Sequence, residues 1–230
     1  MAVRQPNSIR MLLGTCALLI GGCWVAAAQA PVQQEPHHRV LFENAALRVL
    51  DVNIEPGGTT LEHRHDNDIM TVSVSASETR VRTPAAGWGD IRPRRRLGET
   101  NLTEYAGQSG THTVQNVGES LYRLIAVENL KQAGWSVGSA VTGAGTTLLN
   151  DARAFRTYAV QLGTTENGID RVHCLPTVVV LVTGEAIMNR NGSPSIRLDQ
   201  SRRWVVVAAG ESYRLTRGTG DVRFVEIEVR

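Results

Sequence analysis

The stretch Pro56-Gly-Gly-Thr-Thr-Leu-Glu-His-Arg-His-Asp-Asn-Asp68, with the alternating run Ile69 to Ser75 behind it, decides how this chain is read. A glycine turn leads into two histidines two residues apart, and a β-like segment follows. Side chains of a strand point to opposite faces with period two, so His63 and His65 share a face. Two imidazoles on one face form a pincer for a divalent metal. A third imidazole, His112, arrives in Gly110-Thr-His-Thr-Val-Gln-Asn116. The chain holds six histidines, and these two segments carry three of them.

Working outward, alternating apolar runs dominate. Val40–Glu43 and Leu47–Ile54 precede the turn Glu55-Pro-Gly-Gly58, and Glu78–Arg82 follows the histidine strand. Residues 83–101 are rich in Pro, Gly and Arg and read as a long loop. Its basic run Arg92-Pro-Arg-Arg-Arg96 reads as a solvated face rather than a phosphate clamp. Ser120–Glu128 closes the block as a strand.

The second half repeats this outline. Phe155–Leu162 matches the strand before the turn, Arg171–Gly184 mirrors the histidine strand, Trp204–Gly210 leads to Tyr213, and Val222–Val229 mirrors the closing strand. Two copies of one strand-turn-strand unit, with no clean 3.6 periodicity, indicate an internally duplicated all-β protein. The glycine-rich residues 131–150 read as a linker between barrels at 39–130 and 151–230.

The N-terminus reads as an address. Arg4 and Arg10 precede an apolar core, Met11–Ile20, and small residues run to Ala30, the layout of a secretory signal over residues 1–28. The apolar stretch is short of a membrane span. The mature protein is therefore expected to be exported, periplasmic or secreted, with a lipoprotein anchored at Cys23 as the alternative. Without Arg4 and Arg10 the 24 basic residues fall to 22, against 22 acidic ones, so no global field favours nucleic acid. Only Cys174 lies beyond the signal, which excludes an internal disulfide. Residues 29–38 read as a leader with no packed role, which sets His37 and His38 outside the site.

The order Gly57-Gly58, His63-x-His65 and, some fifty residues on, Gly110-x-His112 with Asn116 resembles the two motifs of the cupin superfamily. The resemblance implies a tandem pair of double-stranded β-helix barrels, similar to exported bacterial bicupins. It also implies a metal held by His63, His65 and His112. The glutamate that family members place four or five residues after the second histidine is missing, since Ile69 and Met70 stand there. Strand parity leaves Asn67 on the histidine face, and Asp68 reaches it only through a kink. Three imidazoles suit Fe, Zn, Ni, Cu or Mn, and some cupin oxygenases work with three histidines and iron. Glu62, Asp66 or Asp68 are candidates to orient the imidazoles by hydrogen bonding.

In the second barrel Arg171 and His173 stand where His63 and His65 stand, and Tyr213 or a neighbour replaces His112. One imidazole does not hold a metal, so that barrel is read as structural or ligand-binding. Two functions remain open at this point. One is a metal-dependent oxygenase or lyase/isomerase of a small oxygen-rich molecule. The other is a non-catalytic module for a small ligand, its metal structural or absent. Pairing into a homodimer through edge strands stays open too.

Overall fold

The computed structural model describes Met1 and residues 29–131, 138–163 and 168–230. The signal expected over 1–28 lies outside the described residues except for Met1. The described chain is all β apart from one 3-10 turn, Val32–Gln34, and none of its helices is long and apolar enough to cross a membrane.

Ten strands form the first half: β1 (Ala30–Pro31), β2 (His38–Glu43), β3 (Leu47–Ile54), β4 (His63–His65), β5 (Ile69–Ser75), β6 (Thr79–Thr83), β7 (Gly87–Trp88), β8 (Thr100–Thr103), β9 (Gly110–Asn116) and β10 (Tyr122–Asn129). They build two sheets, ordered β1-β4-β9-β6-β7 and β2-β3-β10-β5-β8. Nine more form the second half: β11 (Thr146–Asp151), β12 (Phe155–Leu162), β13 (Ile169–Val172), β14 (Thr177–Thr183), β15 (Ala186–Arg190), β16 (Ile196–Leu198), β17 (Trp204–Val207), β18 (Ser212–Arg217) and β19 (Val222–Val229). Their sheets run β11-β12-β19-β14-β17 and β13-β18-β15-β16. Apart from β1, which has no counterpart, the orders repeat, with β3, β10 and β5 matching β12, β19 and β14. No sheet mixes the halves, so the molecule is two tandem barrels.

Two expectations need correction. Residues 29–38 are packed: β1 pairs in parallel with β4, aligning Ala30 with His63, and Val32 and Glu35 are buried. Glu35 holds this segment down. Its carboxylate accepts from the Leu61 amide at 3.1 Å and from the His37 amide at 2.8 Å, and it meets His38 Nδ1 at 2.5 Å. Burial alone would raise its pKa, but the His38 and His37 contacts and the Leu61 amide bring it down to about 2. The linker expected at 131–150 also ends early, because Thr146–Asp151 is strand β11, paired antiparallel with β12; residues 132–137 lie outside the described ones.

Three apolar layers explain why β3 and β14 are buried almost throughout. Leu50, Val52 and Ile54 face the interior of the first barrel, whereas Leu47 and Val49 face outward onto the second. On β14, Val178, Val180 and Val182 join Leu47 and Val49 in that middle layer, while Val179 and Leu181 fill the second barrel. Strands covered on both faces lose polar alternation and read as continuous apolar runs. Polar ties cross the same seam. Asn129 Nδ2 donates to the carbonyls of Ala154 (3.1 Å) and Arg230 (2.9 Å), and Arg153 donates to Asp68 at 2.6 Å.

Candidate metal centre

The turn that delivers the histidines forms because Pro56 and Gly57 suit its two central positions. Gly58 N–H donates to the Glu55 carbonyl at 2.8 Å, and Gly57 has φ +76°, the combination of a type II turn. A side chain at Gly57 would be strained. Asn116 secures the turn from outside: its buried amide donates to the carbonyls of Ile54 (2.9 Å) and Ser120 (2.8 Å), and its oxygen accepts from Gly118 N–H. Asn116 thus braces the site rather than joining it.

Strand β4 then does what period two requires. His63 and His65 are buried and Arg64 between them is exposed. The antiparallel register of β4 with β9 sets His112 directly opposite His63 and Gly110 opposite His65. The three rings form a nearly equilateral triangle, with centroids 5.0 Å apart for His63 and His65, 4.7 Å for His63 and His112, and 4.9 Å for His65 and His112. One nitrogen from each ring lies within 4.8 Å of the others.

Gly110 has a packing reason as well. A Cβ there would meet the Tyr105 ring at 2.2 Å, and that ring lies stacked on His65 with centroids 5.0 Å apart and planes 11° apart. The glycine of the Gly-x-His pattern makes room for the aromatic lid on the neighbouring ligand.

The ring nitrogens carry the chemical signal. His63 Nδ1 lies 2.9 Å from the Leu61 carbonyl, which makes Nδ1 the donor and leaves Nε2 with its lone pair. His63 Nε2 and both nitrogens of His65 are buried with no hydrogen-bond partner. Buried polar atoms are rarely left so, since an unmet partner costs about 1–3 kcal/mol. Burial, reinforced by the other imidazoles, lowers the three pKa values to about 4 for His63, about 2 for His65 and about 3 for His112. At neutral pH all three are uncharged and can donate lone pairs. Unpartnered, neutral, convergent imidazoles fit a divalent transition metal.

The carboxylates weighed as ligands or orienting groups are occupied elsewhere. Asp68 accepts from the amides of Tyr105 and Ala106 and from Arg153. Asp66 takes Ser109 and Arg64, Glu62 takes Gln29 and Arg82, and Asn67 reaches Glu128. The orienting role expected of an acid falls to the Leu61 carbonyl. Conversely, His38, set aside with the leader, is buried with its ring centroid 4.6 Å from that of His63, and Glu35 holds its Nδ1. The spacing Glu35-x-x-His38 was the available signal.

A cavity of about 390 Å³ opens beside the triad, lined by His38, His65, His112 and Tyr105 among others. In the second barrel the same place is filled. Arg171 pairs in register with Tyr213, as His63 does with His112. His173 is fully buried, with Nδ1 2.9 Å from Glu228 and Nε2 3.1 Å from the Tyr213 hydroxyl. Arg171 meets Glu226 at 3.3 Å, and Tyr213 donates to Glu226 at 2.9 Å. A buried charge network stands where the first barrel gathers imidazoles.

The arrangement of strands superposes on solved structures over most of the chain. The chain has the cupin fold. A cupin 2 conserved barrel domain protein from Leptotrichia buccalis superposes with a TM-score of 0.54 at 9% identity, over 84% of this chain and 88% of that one. AerE from Microcystis aeruginosa gives 0.57 at 10% identity, over 85% and 98%. A salicylate 1,2-dioxygenase from Pseudaminobacter salicylatoxidans gives 0.57 at 12% identity, over 80% and 71%. No protein-family model and no curated protein matches the chain. At such identities the cupin likeness concerns fold.

Proposed function

We propose that this protein is an exported metallocupin whose first barrel binds one divalent transition metal through His63, His65 and His112, and that the ion serves a reaction on a small oxygen-rich molecule. The observation that carries this reading is the triangle of neutral imidazoles with unpartnered buried nitrogens. A cupin-fold neighbour described as a dioxygenase supports an oxygenase reading over an isomerase one. When bound, such an ion supplies Lewis acidity or redox capacity at positions left open by three protein ligands. The chain's own part is to hold the imidazoles, with Leu61 fixing the tautomer of His63 and Tyr105 covering one face of His65. His38, steadied by Glu35, lines the cavity as an additional polar group.

A non-catalytic binding module is favoured by one observation: the second barrel keeps its shape with a charge network in place of ligands. The test of the metal is direct. Wild-type protein is expected to retain about one divalent ion per chain after dialysis, and His63→Ala/His65→Ala to retain essentially none, a loss of at least about 100-fold in affinity. Equal metal content in both would remove the reading. Oxygen uptake over a panel of small substrates then separates enzyme from binding module.

A further inference from the structure

The wall of the cavity beside the triad contains two guanidinium groups, Arg92 and Arg95, and no carboxylate. Both come from the basic run first read as a solvated loop face. Arg92 is tied to β6 through a reciprocal pair of backbone hydrogen bonds with Thr79, and Arg95 donates to the Thr71 hydroxyl at 3.4 Å. Neither guanidinium is paired with an acid among the described residues. In a second hollow the arginines are paired. In the hollow on the sheet β13-β18-β15, Arg214 meets Asp170 at 2.5 Å, Arg190 meets Glu211 at 2.5 Å, and Arg171 meets Glu226. The remaining wall of the first cavity is mixed: Val52, Ile69, Val81 and Leu124 form an apolar side, and imidazoles and threonines the rest. Burial raises the Tyr122 hydroxyl pKa, the charges of Arg95 and Arg92 pull it back, and that of Glu99 adds to the rise.

Two cations without an acid partner, beside a wall with an apolar side, are matched by an anion with an apolar body. We infer that this cavity binds a small organic carboxylate, with Arg92 and Arg95 holding its charged end and the apolar wall its body. The inference rests on the reading of this cavity as the ligand site, and it adds the class of ligand. Guanidinium–carboxylate hydrogen bonds are charge-assisted and short, and the forked geometry of arginine suits two carboxylate oxygens. A divalent ion on three neutral imidazoles would keep its double charge and favour the same sign of ligand.

Calorimetric titration of the full chain with benzoate and with benzamide, its neutral counterpart, tests the inference. Wild type is expected to bind benzoate saturably, more weakly as salt rises, and benzamide at least about tenfold more weakly. Arg92→Gln and Arg95→Gln are each expected to weaken benzoate binding by about tenfold. Arg94→Gln, at an exposed position facing Glu78, is expected to leave it unchanged. No saturable benzoate binding by wild type, equal binding of the two probes, or wild-type affinity in the Arg92→Gln/Arg95→Gln variant would overturn the inference. Metal content measured on the same samples keeps the two readings apart. Failure of the metal centre appears as His63→Ala/His65→Ala retaining its ion. Failure of the anion site appears as benzoate and benzamide binding alike in protein that holds its metal.

Discussion

Replacing Glu228 with alanine is expected to destabilise the protein by about 3–5 kcal/mol, the cost of breaking a buried charge network from one side. Glu228 is buried and meets three groups: His173 at 2.9 Å, Arg156 at 3.3 Å and the Tyr158 hydroxyl at 3.1 Å. Removing the carboxylate leaves the Arg156 charge and a fully buried imidazole with too little compensation. Glu228→Gln keeps the shape and some hydrogen bonds and is expected to lose less. Urea unfolding monitored by intrinsic fluorescence measures both. A Glu228→Ala midpoint equal to that of wild type would show that the network contributes nothing to the second barrel.

The duplication explains why this barrel took charges where the first took imidazoles. Glu128 stands opposite Arg48 in the first barrel just as Glu228 stands opposite Arg156 in the second. Two residues earlier, Ala126 opposite Leu50 corresponds to Glu226 opposite Tyr158. Ala126 lines the first cavity, and its small side chain leaves space there. Glu226 instead delivers a carboxylate to Arg171, His173 and Tyr213.

The histidines of the two barrels should shape stability against pH in opposite directions. Burial lowers the pKa of His173, but the hydrogen bonds and charges of Glu226 and Glu228 outweigh it and bring the value to about 9. A histidine raised above its unfolded value of about 6.5 stabilises fully below that pH and loses its contribution as pH climbs to 9. The amount is about 3 kcal/mol. The site histidines act the other way in metal-free protein. Their folded values lie below 6.5, so the unfolded chain takes up protons first and stability falls as pH drops below about 6.5. Glu35, held near 2, adds its loss only below about pH 4.5. Metal-free protein is therefore expected to be most stable close to pH 6.5. His173→Gln should flatten the alkaline side, and His63→Ala/His65→Ala the acidic side between pH 4.5 and 6.5. A melting temperature flat from pH 6.5 to 9 in wild type would contradict the charge assigned to His173.

What the sequence disclosed was local in origin. Period two in His63-Arg64-His65 needs no tertiary knowledge, and neither does the turn at Pro56-Gly57. The repeat of whole strands made the duplication legible, down to Arg171 and Tyr213 standing for His63 and His112. What escaped depended on contacts distant in sequence. Residues 29–38 look solvated because they are polar and carry prolines, yet the Leu61 amide and β4 hold them. Composition placed Arg92 and Arg95 on a loop but could not say that the loop borders the cavity. Asp68 looked like a spare carboxylate until Arg153, from the other half of the chain, reached it.

X-ray absorption at the edge of the metal that the protein acquires tests the central claim most directly. The expected spectrum has a first shell of nitrogen or oxygen at about 2.0–2.2 Å with the multiple scattering of three imidazoles, falling to two in His112→Ala. A shell without imidazole scattering, or an unchanged spectrum in that variant, would contradict it.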